Sequence, residues 1–435
     1  MPDRVRSVLL RFALLFSALI ATTAQAQGPA HLRQRAEALV SVLNGEPASS
    51  ALFSAEFLLA VPPERLAAIA GQIRVELGKA QRISRINPPA SGASAIIVEY
   101  ERGWVEVRLA VASAPPHLIS GLFVTATRRR TDSSEAIAAD VRALPGSSAF
   151  ALARIGDKAP GMLIAADAEV PLAIGSIFKL FVLAELDRQV QAGERRWTDV
   201  VPLTRRSLPS GLLQDWPAGS PVTLHSLAAL MISRSDNSAT DTLLHLVGRE
   251  RVEALLPTLG IRDPRNRPFL STLEAFVLKG GDDVLTRRWL AADEIGRRAL
   301  LAELAATGPE RVDLALLQAR PIHIDRIEWF ASPADLVRAL DWLRRNAAPE
   351  TLAMLSINPG LPRQVSPPFR YWGFKGGSET GVVAMAFLVQ ALDGAWYALA
   401  TGWNDPNRPV DEQLLARMAS RAITMISPSA SLWPK

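Results

Sequence analysis

The stretch GSIFKLFVLAEL, residues 175 to 186, restricts the fold more than any other part of the chain. From Ser176 to Leu186 apolar side chains run nearly all the way round a helix, so other elements must cover that helix on every side. Lys179 nevertheless stands in its first turn. An ammonium group in such a place loses its hydration unless something uses or neutralises it, and burial drives its pKa down. The segment therefore demands a domain large enough to enclose it and a purpose for its lysine.

Composition supplies the room. The chain has 435 residues, 49% hydrophobic and 21% charged, with no cysteine, which fits a globular protein of two domains. Its first residues carry Arg4, Arg6 and Arg11, an apolar run from Phe12 to Ala21, and Ala24-Gln25-Ala26, a small-x-small cleavage site. Residues 1–26 read as a secretory signal peptide, since the apolar run is short for a membrane anchor. The expected location is periplasmic or secreted, with no stable membrane insertion after cleavage. Formal net charge is +5, and loss of three arginines and Asp3 with the leader would leave +3. That is too mild to call for a nucleic-acid partner, and Arg128-Arg129-Arg130 beside Thr131, Asp132, Ser133 and Ser134 reads as a solvated linker.

Two domains are expected, 27–130 and 131–435. In the first, HLRQRAEALVSVLNG and PPERLAAIAGQIRVELG have helical spacing, and ASAIIVEYE, GWVEVRLAVA and HLISGLFVTATR follow as strands. Helices before antiparallel strands give a small α+β domain, in which no group of acids, histidines or hydroxyls asks to be catalytic. The second opens with a strand pair, SSAFALARIG and GMLIAADA, continues with a long helical stretch, and closes with TGVVAMAFLVQAL and AWYALATGW around Asp393-Gly394, a hairpin signal. A last amphipathic helix runs from about Val410 to Ile426. Strands from both ends of this segment are expected to meet in one antiparallel sheet flanked by helices.

Three residues apart on a helix, Ser176 and Lys179 share a face, so the amine is expected to reach the hydroxyl. Serine needs a base to become a nucleophile, and a desolvated lysine can be one. The helix N-terminus offers N–H groups to an oxyanion. Further on, Ser235-Asp236-Asn237 lies between two helical stretches, where a plain interhelical cap would use the same residues. Lys375-Gly376-Gly377-Ser378 leads into a strong strand, with glycines that admit a ligand to the backbone and a cation for an anionic substrate. The five histidines show no ligand spacing, so neither a metal nor a cofactor is implied.

S-x-x-K, S-D-N and K-x-G in this order resemble the signature of class A β-lactamases and penicillin-binding serine hydrolases. With the preceding domain, the chain is similar to two-domain β-lactamase-like hydrolases typified by the clavulanic-acid-cluster protein and exported mycobacterial relatives. The resemblance implies a steroid-isomerase-like cone followed by an α/β β-lactamase-like domain. It also implies Ser176 as acylated nucleophile, Lys179 as its base, and Ser235 with Lys375 in proton transfer to the leaving group. Asn237 would bind the substrate amide, the N–H groups of Ser176 and Ser378 would form the oxyanion hole beside Gly377, and the Ser378 hydroxyl would hold a substrate carboxylate. Two departures stand out. Gly376 replaces the usual Thr or Ser, and the E-x-x-L-N loop that supplies the deacylating glutamate has its nearest match at Glu274, without the asparagine and followed by an apolar helix face. The expected activity is therefore an acyl-enzyme serine hydrolase on small esters, amides or β-lactams with weak β-lactamase turnover. A genuine class A β-lactamase and a non-enzymatic penicillin-binding or recognition protein are the alternatives.

Overall fold

The computed structural model describes residues 30–87, 93–361 and 369–426, which fall into two compact units dividing between Asp132 and Ser133. The leader read from residues 1–26 lies outside the described residues. Among those described, no helix is long and apolar enough to cross a membrane.

The first unit is an antiparallel sheet in the order β1 (Ala80–Ile86), β2 (Ser94–Tyr100), β3 (Gly103–Val111) and β4 (Ile119–Arg129). It shares a core with helices α1 (30–43) and α2 (Pro63–Leu77), through Leu39, Leu66 and Ile73 on the helices and Val98, Tyr100, Val105 and Val107 on the strands. Helix α2 begins on a proline at its first position and stops at Gly78, whose φ of +81° suits a residue without Cβ. Strand β1 carries no apolar alternation, its burial being mixed along its length, and the sequence reading passes over it. The arginine run is corrected too. Arg128 and Arg129 end β4, Arg129 pairs with Glu76, and Arg130 lies against Glu99 and over the Trp104 ring at 4.5 Å, so the run is folded into this unit.

The second unit is built on a five-stranded antiparallel sheet, with strands from its beginning and end combined. Its order is β7 (Tyr371–Glu379), β8 (Val382–Gln390), β9 (Trp396–Asn404), β5 (Ser147–Ile155) and β6 (Gly161–Ala166). Gly394, at φ +90°, closes the expected hairpin between β8 and β9. Along β8, Val383, Met385, Phe387 and Val389 face helices α3 (Ser134–Arg142) and α9 (Glu412–Ile426), while Ala384, Ala386 and Leu388 face the main helical layer. Burial on both faces explains why β8 reads as an unbroken apolar run. Alanines on the second face let the helix Pro333–Asn346 lie close to the sheet, while helix α4 (Lys179–Gln191) packs among the other helices, and its residues Leu180, Phe181, Val182, Leu183 and Leu186 are at most 1% exposed. The helix is enclosed on all sides, as its sequence requires.

Candidate active site

A 3₁₀ turn, Gly175–Phe178, precedes α4 and carries Ser176 into a cavity of about 770 Å³. The turn is pinned by Trp329: its carbonyl accepts from Ile174 N at 3.0 Å, and its ring stacks on Phe178 at 3.7 Å. As the second residue of its turn, Ser176 has an N–H with no carbonyl behind it to bond. Strand β7, at the sheet edge, crosses this point closely. A Cβ on Gly377 would stand 2.6 Å from Ser176 N and 2.1 Å from Ile174 O, and one on Gly175 would stand 3.0 Å from Ser378 N. Side chains at either glycine would push the turn off the strand. Their absence lets β7 press against the turn, with the backbone of Gly377 and Ser378 beside that of Gly175 and Ser176.

Behind the turn stands Lys179, 0% exposed. Its Nζ donates to Ser235 O at 2.6 Å and to Asn237 Oδ1 at 2.6 Å, and lies 3.1 Å from Ser235 Oγ. Burial first, then the charge of Lys375, holds its pKa well below the ordinary lysine value. A neutral amine has two hydrogens, and the two carbonyl oxygens at 2.6 Å accept both. Its lone pair is then left to receive a proton. The expected direct bond to Ser176 is not formed: the Ser176 hydroxyl makes no hydrogen bond with the described residues, and the amine is turned to residues 235 and 237.

Ser235 adopts a left-handed backbone, φ +56°, at the junction of α5 (Leu224–Ser233) and α6 (Asn237–Val247). Asp236 fixes that corner by capping α6 through Ala239 N at 2.8 Å and accepting from Leu212 N and Leu213 N. The corner sets Ser235 Oγ 3.1 Å from Lys179 Nζ and 3.1 Å from Lys375 Nζ, so one hydroxyl bridges two buried lysines. Burial pushes the Lys375 pKa down to about 7. Asn237 Nδ2 donates to Leu208 O at 3.0 Å, which commits one of its two hydrogens inside the protein. At Gly376 a Cβ would come within 2.8 Å of the Phe374 ring, so that ring occupies the space of the missing hydroxyl.

Ser176, Ser235, Asn237, Lys375, Gly377 and Ser378 all line the cavity, with Lys179 directly behind; Glu274 does not line it. Glu274 is the third residue of α7 (Thr272–Gly280), where its carboxylate accepts from Ser271 N in a capping box and from both Arg249 nitrogens at 2.7 and 3.0 Å. The deacylating role is thus corrected: this carboxylate is a helix cap and half of a buried ion pair. Glu274→Gln should cost about 3–5 kcal/mol, the usual loss when one partner of a buried pair is removed. Urea unfolding measures this, and the rate of acyl-enzyme hydrolysis in the folded variant should be unchanged.

Three further groups line the same cavity and escape the sequence reading: Lys279, Glu328 and Glu379. Lys279 Nζ bonds Glu328 Oε1 at 2.9 Å and Glu379 Oε1 at 2.6 Å. Burial, reinforced by the Glu328 carboxylate and opposed by Lys279, pushes the Glu379 pKa up to about 8. Glu379 follows Ser378 directly, so strand alternation from Lys375 was the available signal; Glu328 and Lys279 sit in apolar surroundings that hide them. Among the described residues, no group of three or more His, Asp or Glu side chains is arranged to hold a metal.

No curated protein sequence matches the chain. Among solved structures, a beta-lactamase from Sphaerobacter thermophilus is 23% identical, covering 67% of this chain and 96% of its own, with a TM-score of 0.47. A mutant of PBP-A, as an acyl-enzyme complex with penicillin G, is 16% identical over 67% of this chain and 95% of its own, TM-score 0.46. A beta-lactamase from Chitinophaga pinensis is 17% identical over 67% and 94%, TM-score 0.45. The family model described as the beta-lactamase enzyme family matches residues 133–426, the whole described part of the second unit. That span holds the S-x-x-K turn, the S-D-N corner and the K-x-G strand converging on one cavity, and with it the chain belongs to the beta-lactamase enzyme family, serine hydrolases of the class A β-lactamase and penicillin-binding type.

Proposed function

We propose that the protein is an exported hydrolase that acylates Ser176 with small esters, amides or β-lactams and clears β-lactams slowly. The observation that carries this reading is the Ser235 hydroxyl bridging two buried lysines beside the nucleophile turn. Ser176 Oγ attacks the substrate carbonyl, and its proton passes to the lone pair of Lys179. The oxyanion is held by the N–H groups of Ser176 and Ser378. Lys179, now an ammonium, returns a proton through Ser235 Oγ to the leaving group, whose bond to the acyl carbon breaks. The second hydrogen of Asn237 Nδ2 serves a substrate amide, and Lys375 with the Ser378 hydroxyl serves a substrate carboxylate. Slow β-lactam clearance follows because the opened ring stays attached over the ester, and because Glu274 is spent elsewhere. The N-terminal domain is read as a cone-like recognition module. Intact-mass spectrometry after incubation with penicillins, cephalosporins and simple esters tests the proposal: a persistent β-lactam adduct on Ser176 is expected, and fast steady nitrocefin hydrolysis would point to a true β-lactamase instead.

The pKa of Lys375 gives a pH signature. Its folded value of about 7 lies below the unfolded one, so the cation is present below pH 7 and lost above it. For carboxylate-bearing esters kcat/KM, which reports groups of the free enzyme, should fall as pH rises through about 7, beyond any change seen with neutral esters. Lys375→Ala should raise KM for the anionic esters about 10- to 100-fold, the range of one hydrogen bond to a charged group. Equal losses for neutral esters would assign Lys375 to proton transfer alone.

A further inference from the structure

The acyl-enzyme reading leaves open which group activates the water that releases the acyl chain. Lys179 is on the side of the leaving group and gives its hydrogens to Ser235 and Asn237. A different cluster stands on the other side of the nucleophile turn. Along β7, Lys375, Gly377 and Glu379 face the same way. Gly377 is the residue pressed on Ser176 N, so Lys375 and Glu379 flank the nucleophile, each about 6–7 Å along the strand from that contact. Glu328 directly precedes Trp329, which holds Ile174 two residues ahead of Ser176. Lys279 comes from α7, whose first turn is anchored by Asp241 through Thr272 N at 2.7 Å and Leu273 N at 3.0 Å.

The three groups are not equivalent. Lys279 and Glu328 are 2% and 3% exposed, whereas the Glu379 side chain is 26% exposed in the cavity. Both Glu328 oxygens are committed, Oε1 to Lys279 and Oε2 to Trp329 N at 3.0 Å. Glu379 gives Oε1 to Lys279 and also shares a side-chain hydrogen bond with Glu328, but it alone of the three presents part of its side chain to the cavity. Lys279 and Glu328 thus hold the Glu379 carboxyl group at the cavity surface.

We propose that Glu379 is the base that activates water for release of the acyl group from Ser176, with Lys279 and Glu328 as its positioning residues. This rests on the acyl-enzyme reading above. In the step, the water oxygen bonds to the acyl carbon as its proton passes to the Glu379 carboxylate, and the carbonyl electron pair moves onto the oxyanion. Collapse of the oxyanion breaks the bond to Ser176 Oγ, which takes the proton that Glu379 received from the water, so that Glu379 and Lys179 both return to their starting states.

Single-turnover kinetics separate the two halves of the reaction. The full chain is acylated with a fluorescent penicillin or a chromogenic ester, excess reagent is removed, and loss of the adduct is followed by intact mass. Glu379→Gln, which keeps the size and an acceptor for Lys279, should acylate within a few-fold of wild type and release the acyl group at least ~10²-fold more slowly, the smaller end of a general base's usual contribution. Glu379→Asp, with its carboxylate one methylene further back, should fall between, and it gives the same comparison if the Gln protein does not fold. Release at the wild-type rate from either variant overturns the assignment while leaving the acyl-enzyme intact. Equal loss of acylation and release overturns it too, since the cluster would then only support the turn. A wild-type protein that no probe acylates overturns the underlying reading and this inference with it.

Discussion

Ser176→Ala is expected to abolish covalent labelling by a fluorescent penicillin or a fluorophosphonate and to lower ester hydrolysis on the order of 10⁶-fold, the scale seen when a serine nucleophile is removed. The loss should be this complete because nothing nearby can substitute. The chain has no cysteine, Ser235 Oγ is held between two lysines, and Ser378 makes no hydrogen bond to the amine of Lys179, whose partners are Ser235 and Asn237. The fold should survive. The Ser176 side chain makes no hydrogen bond with the described residues, and the turn is fixed by Ile174, Phe178 and Trp329 instead. Unfolding in urea at the wild-type midpoint, together with silent labelling, is the expected pair of results. Labelling of a folded Ala variant at full strength would place the nucleophile elsewhere.

Removal of Lys179 should have the next largest effect, a fall in the acylation rate of about 10²–10⁴-fold. Two roles are lost together in Lys179→Ala, because the amine is the base and also the donor that holds Ser235 O and Asn237 Oδ1 at 2.6 Å. Lys179→Arg distinguishes them. Guanidinium can still donate to these oxygens, but it stays protonated at any working pH and has no lone pair to offer. If the amine acts as a base, the Arg variant should acylate as poorly as the Ala variant while unfolding at a higher urea concentration. Recovery of acylation in the Arg variant would reduce Lys179 to a donor, and would return the search for the base to Ser235 and Lys375.

The parts of the site that were legible in the sequence are those where chemistry conflicts with burial or backbone. A lysine in the first turn of an all-apolar helix, a serine at an interhelical corner and a pair of glycines opening a strand each stand out locally, and the fold brings them together. The sheet was legible for a similar reason, as the apolar run in β8 and the Asp393-Gly394 turn are strong local signals. Other features depend on distant partners. Glu274 resembles a catalytic glutamate by spacing from its neighbours, yet Arg249, 25 positions away, decides where its carboxylate goes. The Lys279–Glu328–Glu379 cluster joins residues separated by 49 and 100 positions, and no periodicity reports such a meeting. Strand β1 escapes the sequence reading because its two arginines and mixed burial give no alternation to detect.

Pairing of β5 with β9 gives the protein a particular order of assembly during synthesis. The nucleophile turn leaves the ribosome about two hundred residues before the strand that supplies Lys375, Gly377 and Ser378, and β5, though joined at once by β6, waits longer still for β9. Until the last hairpin arrives, the first strands have an open edge and the helical layer has no sheet to lie on, so contacts of very long sequence separation must form late. A growing chain therefore carries Ser176 without its oxyanion partner or its second lysine. On the roles proposed above, hydrolytic chemistry switches on only with completion of the C-terminal strands, which keeps Ser176 silent through the whole period in which the chain is unfolded and surrounded by other esters and amides.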